Sequence, residues 1–336
     1  MANIGICGCG AWGIGLAVLL NNNGHNVTMW SAVKKEVEML TNDRENTVSL
    51  KGVKLAASID ITDSLKCVCT DKDIVIMAVA SKYTRQTATN MSEYVREGQI
   101  IVNVGKGIED ETLMTLTDII SEQIPQADVT VLSGPSHAEE VGRGIPTTCV
   151  VGANTKTTAE FIQEVFMSNV FRVYTSPDIL GIEIGGSLKN VIALAAGMAD
   201  GLGFGDNTKA ALITRGIAEI GRLGVKMGAC AQTFAGLSGM GDLIVTCASA
   251  HSRNRRAGYL MGKGKTMDEA MAEVNQVVEG VYSARAGLKL SKKYDISMPI
   301  IEQVNKVLFE DANVKDAVNE LMLRDKTSEI SDENWK

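Results

Sequence analysis

Six residues near the N-terminus, Gly8-Cys9-Gly10-Ala11-Trp12-Gly13, leave few folds open. They stand between a run that reads as a strand, residues 3–7, and one that reads as a helix, residues 12–22. Glycines at this spacing permit a tight turn and let a pyrophosphate approach the backbone closely. The phosphates then rest on free N–H groups at the helix N-terminus. The motif is weak alone, but a strand before it and a helix after it supply the context a dinucleotide-binding loop requires.

The same alternation continues along the chain. Residues 26–30, 73–79, 99–104 and 129–132 read as strands, with helical stretches at 33–40, 84–95 and 111–122 between them. Near-continuous apolar strands separated by helices predict a parallel sheet covered on both faces. Two further strands, at 147–151 and 170–174, flank a helix at 157–167 and extend the sheet. After Ser176-Pro177-Asp178 the strand signals largely disappear, and seven stretches from Ile179 to Leu308 read as helices. The expected architecture is a Rossmann-type, doubly wound parallel α/β sheet over residues 1–178, followed by an all-α domain over 179–336. Residues 324–336 read as a polar, frayed tail.

Composition narrows the function classes. A net charge of −7, with no aromatics interleaved among the basic residues, argues against nucleic acid as a partner. No 18-residue apolar stretch predicts a membrane span, and the N-terminus lacks the pattern of a secretory leader, so a cytoplasmic location is expected. Cys7, Cys9, Cys67, Cys69, Cys149 and Cys247 lie in largely apolar surroundings and read as buried reduced thiols. With three histidines and no zinc-type cysteine spacing, no metal site is expected.

Candidate chemistry follows the loops. Lys106, between Gly105 and Gly107 after the strand at 99–104, can point at a substrate oxyanion from the carboxyl edge of the sheet. Gly134 and Ser136 end the strand at 129–132 with small groups that let a ligand approach; His137 beside them is an acid–base candidate without an evident orienting partner. Lys189 and Asn190 lie in a stretch apolar on every face, where burial lowers a lysine pKa toward neutrality, as a general acid–base lysine needs. The structural alternative for Lys189 is an ion pair with a carboxylate such as Glu183. Asp242 opens a helix, and Ser252-Arg253-Asn254 at the next helix start offers a hydroxyl, a guanidinium and an amide to a phosphate. The second strand ends at Trp30-Ser31-Ala32 without the acid that usually repels a 2′-phosphate, so NADP is expected to be tolerated beside NAD; Lys34 and Lys35, which follow, read either as attracting that phosphate or as merely solvated helix residues. These residues alone leave three readings open: a phosphate-directed dehydrogenase, a β-hydroxyacid dehydrogenase and a dinucleotide sensor without turnover.

Taken together and in order, Gly8–Gly13 with Trp12, Lys106 in Gly-Lys-Gly-Ile-Glu, Gly134-Pro135-Ser136 with Ala138, Lys189-Asn190, Gly239–Asp242, Ser252-Arg253-Asn254 and Val277-Val278-Glu279-Gly280 resemble the bacterial NAD(P)-dependent glycerol-3-phosphate dehydrogenase family over nearly the whole chain. The resemblance implies interconversion of sn-glycerol 3-phosphate and dihydroxyacetone phosphate, a supply of backbone for phospholipid synthesis, and a cytoplasmic enzyme. It places the catalytic lysine at Lys189. Substrate contacts fall at Lys106, Gly134, Ser136, Lys189, Asp242, Ser252, Arg253 and Asn254. The glycine loop, Gly8, Gly10, Ala11, Trp12 and Gly13, holds the cofactor together with Lys106, Ala138, Arg253, Val277 and Glu279, and the reading of the second strand end adds Lys34. Ala11 stands where relatives often have serine, and Ala32-Val33 where many have an arginine. The apolar faces of the helical half suggest a homodimer.

Overall fold

The computed structural model describes residues 1–326, 328 and 329. Of the tail expected over 324–336, residues 327 and 330–336 lie outside the described residues. Eight strands form one sheet: β1 (Asn3–Cys7), β2 (Asn26–Trp30), β3 (Asp60–Thr62), β4 (Ile74–Met77), β5 (Ile100–Asn103), β6 (Asp128–Ser133), β7 (Thr147–Gly152) and β8 (Phe171–Ser176). Their spatial order is β3-β2-β1-β4-β5-β6-β7-β8, so the chain reverses direction across the sheet between β1 and β4. Strands β1 to β6 pair in parallel. The sheet is covered on both faces, as the continuous apolar strands predict. Ile4, Ile6, Ile76 and Val102 join one core, and Cys7, Val75, Met77 and Ile101 join the other.

Two details depart from the expected sheet. Strand β7 runs antiparallel to β6, and β8 then pairs in parallel with β7. The segment between β6 and β7 holds only the four-residue helix Ala138–Val141, too short to cross the sheet and return in the same direction. Strand β3 is three residues long at the sheet edge, too short to show a period in the sequence. The helix expected at 111–122 starts only at Leu116, because Thr115 and Asp118 form a capping box there.

Beyond β8, the carboxylate of Asp178 accepts from the Gly181 amide at 2.9 Å and caps the 23-residue helix Ile179–Gly201. This helix is the one described element long and apolar enough to cross a membrane. Its most apolar 18 residues have a mean hydropathy of 1.5, and 83% of them are buried inside the protein. Its apolar surface is used up by neighbouring helices: Leu188, Val191 and Ile192 share a core with Ile220, Leu243, Ala284 and Ile301.

The helix Arg253–Gly262 crosses this central helix with backbone nearly on backbone. A Cβ on Gly197 would overlap the Arg255 carbonyl, and one on Gly258 would overlap the Leu194 carbonyl. The same holds for Gly262 against the Met198 carbonyl. The close crossing seats the start of the second helix, with Ser252, Arg253 and Asn254, against the middle of the first. Before that, a π-helical turn at Leu237–Gly241 runs into the helix Asp242–Ala248.

The crossing carries a stability prediction. Gly258→Ala should lower the unfolding free energy by at least about 1–3 kcal/mol, the cost of overpacking against rigid backbone. Gly221→Ala is the contrast: its Cβ would meet Phe234 at an ordinary 3.8 Å inside the helix Asp206–Met227, and it should stabilise by up to about 1 kcal/mol through helix propensity. Urea unfolding of the two variants checks both signs.

Candidate active site

The carboxyl ends of β1, β4, β5 and β6 converge where the strand order reverses, the place at which open α/β sheets bind ligands. After β1, Gly8 takes φ +124, and a Cβ there would meet the Ala78 carbonyl oxygen at 2.7 Å. Gly13 packs so close to the Gly8 carbonyl that a side chain would overlap it. Gly10 faces open space, with nothing within 4 Å of where its Cβ would stand. It is also the N-cap of the helix Ala11–Asn22, and no side chain caps that end. Tight backbone beneath and uncapped N–H groups above form a cradle that fits the pyrophosphate of a dinucleotide. The loop is pinned from below by Asn46, a buried residue whose Nδ2 donates to the Cys9 carbonyl at 3.2 Å.

Past the carboxyl ends of β5 and β6 lies a buried charge cluster. Lys189, 6% exposed, donates from Nζ to Asp242 Oδ1 at 2.5 Å and to Thr246 Oγ1 at 2.6 Å. Lys106 donates from Nζ to Asp242 Oδ2 at 2.7 Å and to the Gly134 carbonyl at 3.1 Å. Asp242, 1% exposed, therefore shares one carboxylate between two ammonium groups brought from the loop after β5 and from the central helix. Burial pushes the Lys189 ammonium down to about 8, against the pull of Asp242, and the Lys106 charge adds to the depression. Burial works against the Asp242 carboxylate, but the charges of Lys106 and then Lys189 outweigh it and hold the carboxyl below its ordinary value. Thr246 lies one turn after Asp242 and donates to the Asp242 backbone carbonyl at 2.6 Å, which fixes the lone pair Lys189 uses.

The carboxylate expected as a structural partner for Lys189 is occupied elsewhere. Glu183 accepts from Asn103 Nδ2 at 3.0 Å, from the Thr117 amide at 3.1 Å and from the Thr117 hydroxyl. Burial raises its carboxyl to about 7.

Around the cluster, Asn254 Nδ2 donates to Asn190 Oδ1 at 2.9 Å, and Asn254 Oδ1 accepts from the Gly280 amide at 2.8 Å. Ser252 caps the helix Arg253–Gly262 by accepting from the Arg255 amide at 3.1 Å, which leaves its hydroxyl proton free to donate. The arginines separate by role: Arg255 pairs with Asp200 at 2.6 Å, whereas Arg253 is exposed and makes no ion pair among the described residues. Ser136 Oγ donates to the Gly134 carbonyl at 3.0 Å. Glu279, at the start of the helix Glu279–Tyr294, accepts from the Ser81 amide at 3.1 Å and from the Ser81 hydroxyl, just past β4. Ala138 is buried against the glycine-loop helix, Trp12 and Val277 are half-buried, and Lys34 is exposed. His137 stands near Lys189 with a buried Nε2 that has no partner among the described residues, and burial followed by the Lys189 charge lowers its pKa.

Several contacts have no counterpart in the sequence reading. Thr246 could have been found from its i+4 spacing to Asp242, and Ser81 from its place at the carboxyl end of β4. Asn46 and Glu36, which accepts from Ser31 at 2.6 Å, leave no sequence pattern of their own. Cys67, expected to be buried, is exposed on the short helix Leu65–Cys69 because its neighbours Val68 and Cys69 take the inward face. All seven cysteines are free.

Comparison with known proteins gives a consistent likeness. The N-terminal and C-terminal models of NAD-dependent glycerol-3-phosphate dehydrogenase match residues 3–159 and 178–319. Proteins named glycerol-3-phosphate dehydrogenase (NAD(P)+) from Agathobacter rectalis and Fusobacterium nucleatum are 61% and 59% identical to the chain, covering 100% of it and 100% of their own lengths. The 2.1 Å crystal structure of glycerol-3-phosphate dehydrogenase from Coxiella burnetii superposes with a TM-score of 0.93 at 33% identity, over 96% of this chain and 99% of that one.

The shared carboxylate has a measurable consequence. Asp242→Asn leaves the buried Lys189 ammonium and the half-buried Lys106 ammonium without a counter-charge, so stability at pH 7 should fall by about 3 kcal/mol, the low end for breaking a buried pair. The loss should shrink at pH 9, where Lys189 has already shed its proton and only the Lys106 contact is missing. Urea unfolding at the two pH values checks the difference.

Proposed function

Because the chain belongs to the NAD-dependent glycerol-3-phosphate dehydrogenase family, we propose a division of labour among its residues in the reaction that family performs. The protein is an oxidoreductase that interconverts glycerol 3-phosphate and dihydroxyacetone phosphate with NAD(P)H. Its chain divides near residue 178 into a dinucleotide-binding part and a helical part that supplies most substrate contacts.

The cofactor, when bound, supplies or accepts the hydride. The glycine loop from Gly8 to Gly13 receives its phosphates, and Trp12, Ala138, Val277 and Glu279 line its path. Lys189 is the proton-carrying group. In the reducing direction its ammonium protonates the ketone oxygen; in the oxidising direction the neutral amine accepts the alcohol proton. Asp242 orients that amine and limits how far burial lowers its affinity for protons. Lys106 adds a second positive charge where the oxygen becomes negative. Arg253, paired with no carboxylate among the described residues, takes the phosphate together with the free hydroxyl proton of Ser252. Asn254 and Ser136 hold the remaining polar groups, and the carbonyl of Gly134 fixes Lys106. One observation carries this assignment: a lysine buried in an apolar helix, poised near neutrality and oriented by the Asp242 carboxylate at the carboxyl edge of the sheet.

The same reading places the enzyme in the cytoplasm, where its product supplies the backbone of glycerophospholipids. It also makes the protein a homodimer through its helical part, which light scattering at twice the 35.9 kDa chain mass would support and a monomer would end.

The proton role is tested by two substitutions and a pH profile. Reduction needs the ammonium, so kcat/KM for dihydroxyacetone phosphate should fall as pH rises through about 8, while oxidation should rise through the same region. Lys189→Ala should lower kcat by at least about 100-fold with NADH binding nearly unchanged. Lys189→Arg keeps the charge but holds its proton, so it should be nearly as slow and lose the limb near pH 8. An arginine variant that keeps most of the activity would reduce Lys189 to a fixed charge.

A further inference from the structure

The chain that directly follows β2, Ser31-Ala32-Val33, holds no carboxylate, yet the fold brings one to that strand end. Glu36 stands in the first turn of the helix Lys34–Asn42, and its Oε2 accepts a 2.6 Å hydrogen bond from Ser31 Oγ. Ser31 is 4% exposed, and its oxygen also accepts from the Val33 amide at 3.1 Å. The hydroxyl is thus fixed in place, and the carboxylate is tethered to the strand end instead of wandering over the helix surface. On its other side lies the glycine loop. The thiol of Cys9, between the two glycines, is pushed up to about 12 by burial and then by the negative charge of Glu36, so the carboxylate's field reaches the loop itself. The neighbouring Lys34 and Lys35 are exposed and form no ion pair with Glu36 among the described residues. Its second oxygen, Oε1, receives no hydrogen bond from the described residues, leaving an acceptor free beside the cradle.

We propose that Glu36, reaching back from the helix to Ser31, receives the adenosine ribose and disfavours a 2′-phosphate, so that the protein binds NADH more tightly than NADPH. The proposal rests on the glycine loop being the cofactor site. A ribose diol donates its O–H protons to a carboxylate, whereas a 2′-phosphate removes one donor and sets up to two negative charges against a third. Lys34 and Lys35, on the outer side of the same turn, are too solvated to cancel that repulsion.

Calorimetric titration with NADH and with NADPH, in the absence of substrate, tests it. The unaltered protein should bind NADH at least about tenfold more tightly than NADPH. Glu36→Gln keeps the shape and removes the charge, and it should reduce that ratio by at least about tenfold. Ser31→Ala, which releases the carboxylate, should move the ratio in the same direction by less. A ratio within about twofold of the parent in both variants, or a parent that prefers NADPH, overturns the proposal. Failure of the unaltered protein to bind either cofactor would instead overturn the glycine-loop reading.

Discussion

A carboxylate withdrawn from water between two ammonium groups organises the rest of this molecule. Asp242 can remain ionised at 1% exposure only because Lys106 and Lys189 each donate to a different oxygen. Those lysines come from distant parts of the chain, one from the loop after β5 and one from the central helix. The ion cluster therefore exists only when the helical part is seated on the carboxyl edge of the sheet. A second polar joint reinforces the seating, since Glu183 on the same helix is held by Asn103 at the end of β5 and by Thr117. The site is in this sense a product of docking, and neither part could display it alone.

The electrostatics of the cluster follow from its stoichiometry. Two cations and one anion leave a net positive charge in a space poorly reached by water. Burial does most to weaken the hold of Lys189 on its proton, and the second ammonium of Lys106 adds to it, against the pull of Asp242. The same excess suits a substrate that carries phosphate and develops negative charge on oxygen. Nearby arginines are sorted accordingly: Arg255 is neutralised by Asp200, while Arg253 stays available at the helix start. Geometry is kept rigid by the glycine-on-backbone crossing, which fixes Asn254 against Asn190 one residue from Lys189.

What could be read in the sequence is what depends on neighbours in the chain. The Gly8–Gly13 loop, Lys106 after a strand and Lys189 inside an apolar helix are local patterns, and each lies where such a pattern places it. Pairings across the fold were less accessible. Glu183, six residues from Lys189, was the natural sequence candidate for its partner, yet the partner is Asp242, which tertiary packing brings in. The antiparallel turn of β7 reflects a connection too short for a crossover, a constraint of length in space and not of residue type. Glu36 leaves no mark at the strand end because the usual acid sits on the strand, whereas here it arrives from the following helix.

The π-helical turn at Leu237–Gly241 has a consequence for how this enzyme can vary. Its amide at Gly241 reaches back five residues to Gly236, so the turn holds one residue more than an ordinary helical turn. Each residue added to or removed from a helix rotates everything after it by about 100°. A further residue added here, or one removed without rewinding the turn, would swing Asp242 away from both lysines. Insertions and deletions that surface loops absorb without effect would here act as a change of angle. Length in this short segment is thus under a stricter constraint than the identity of most of its side chains.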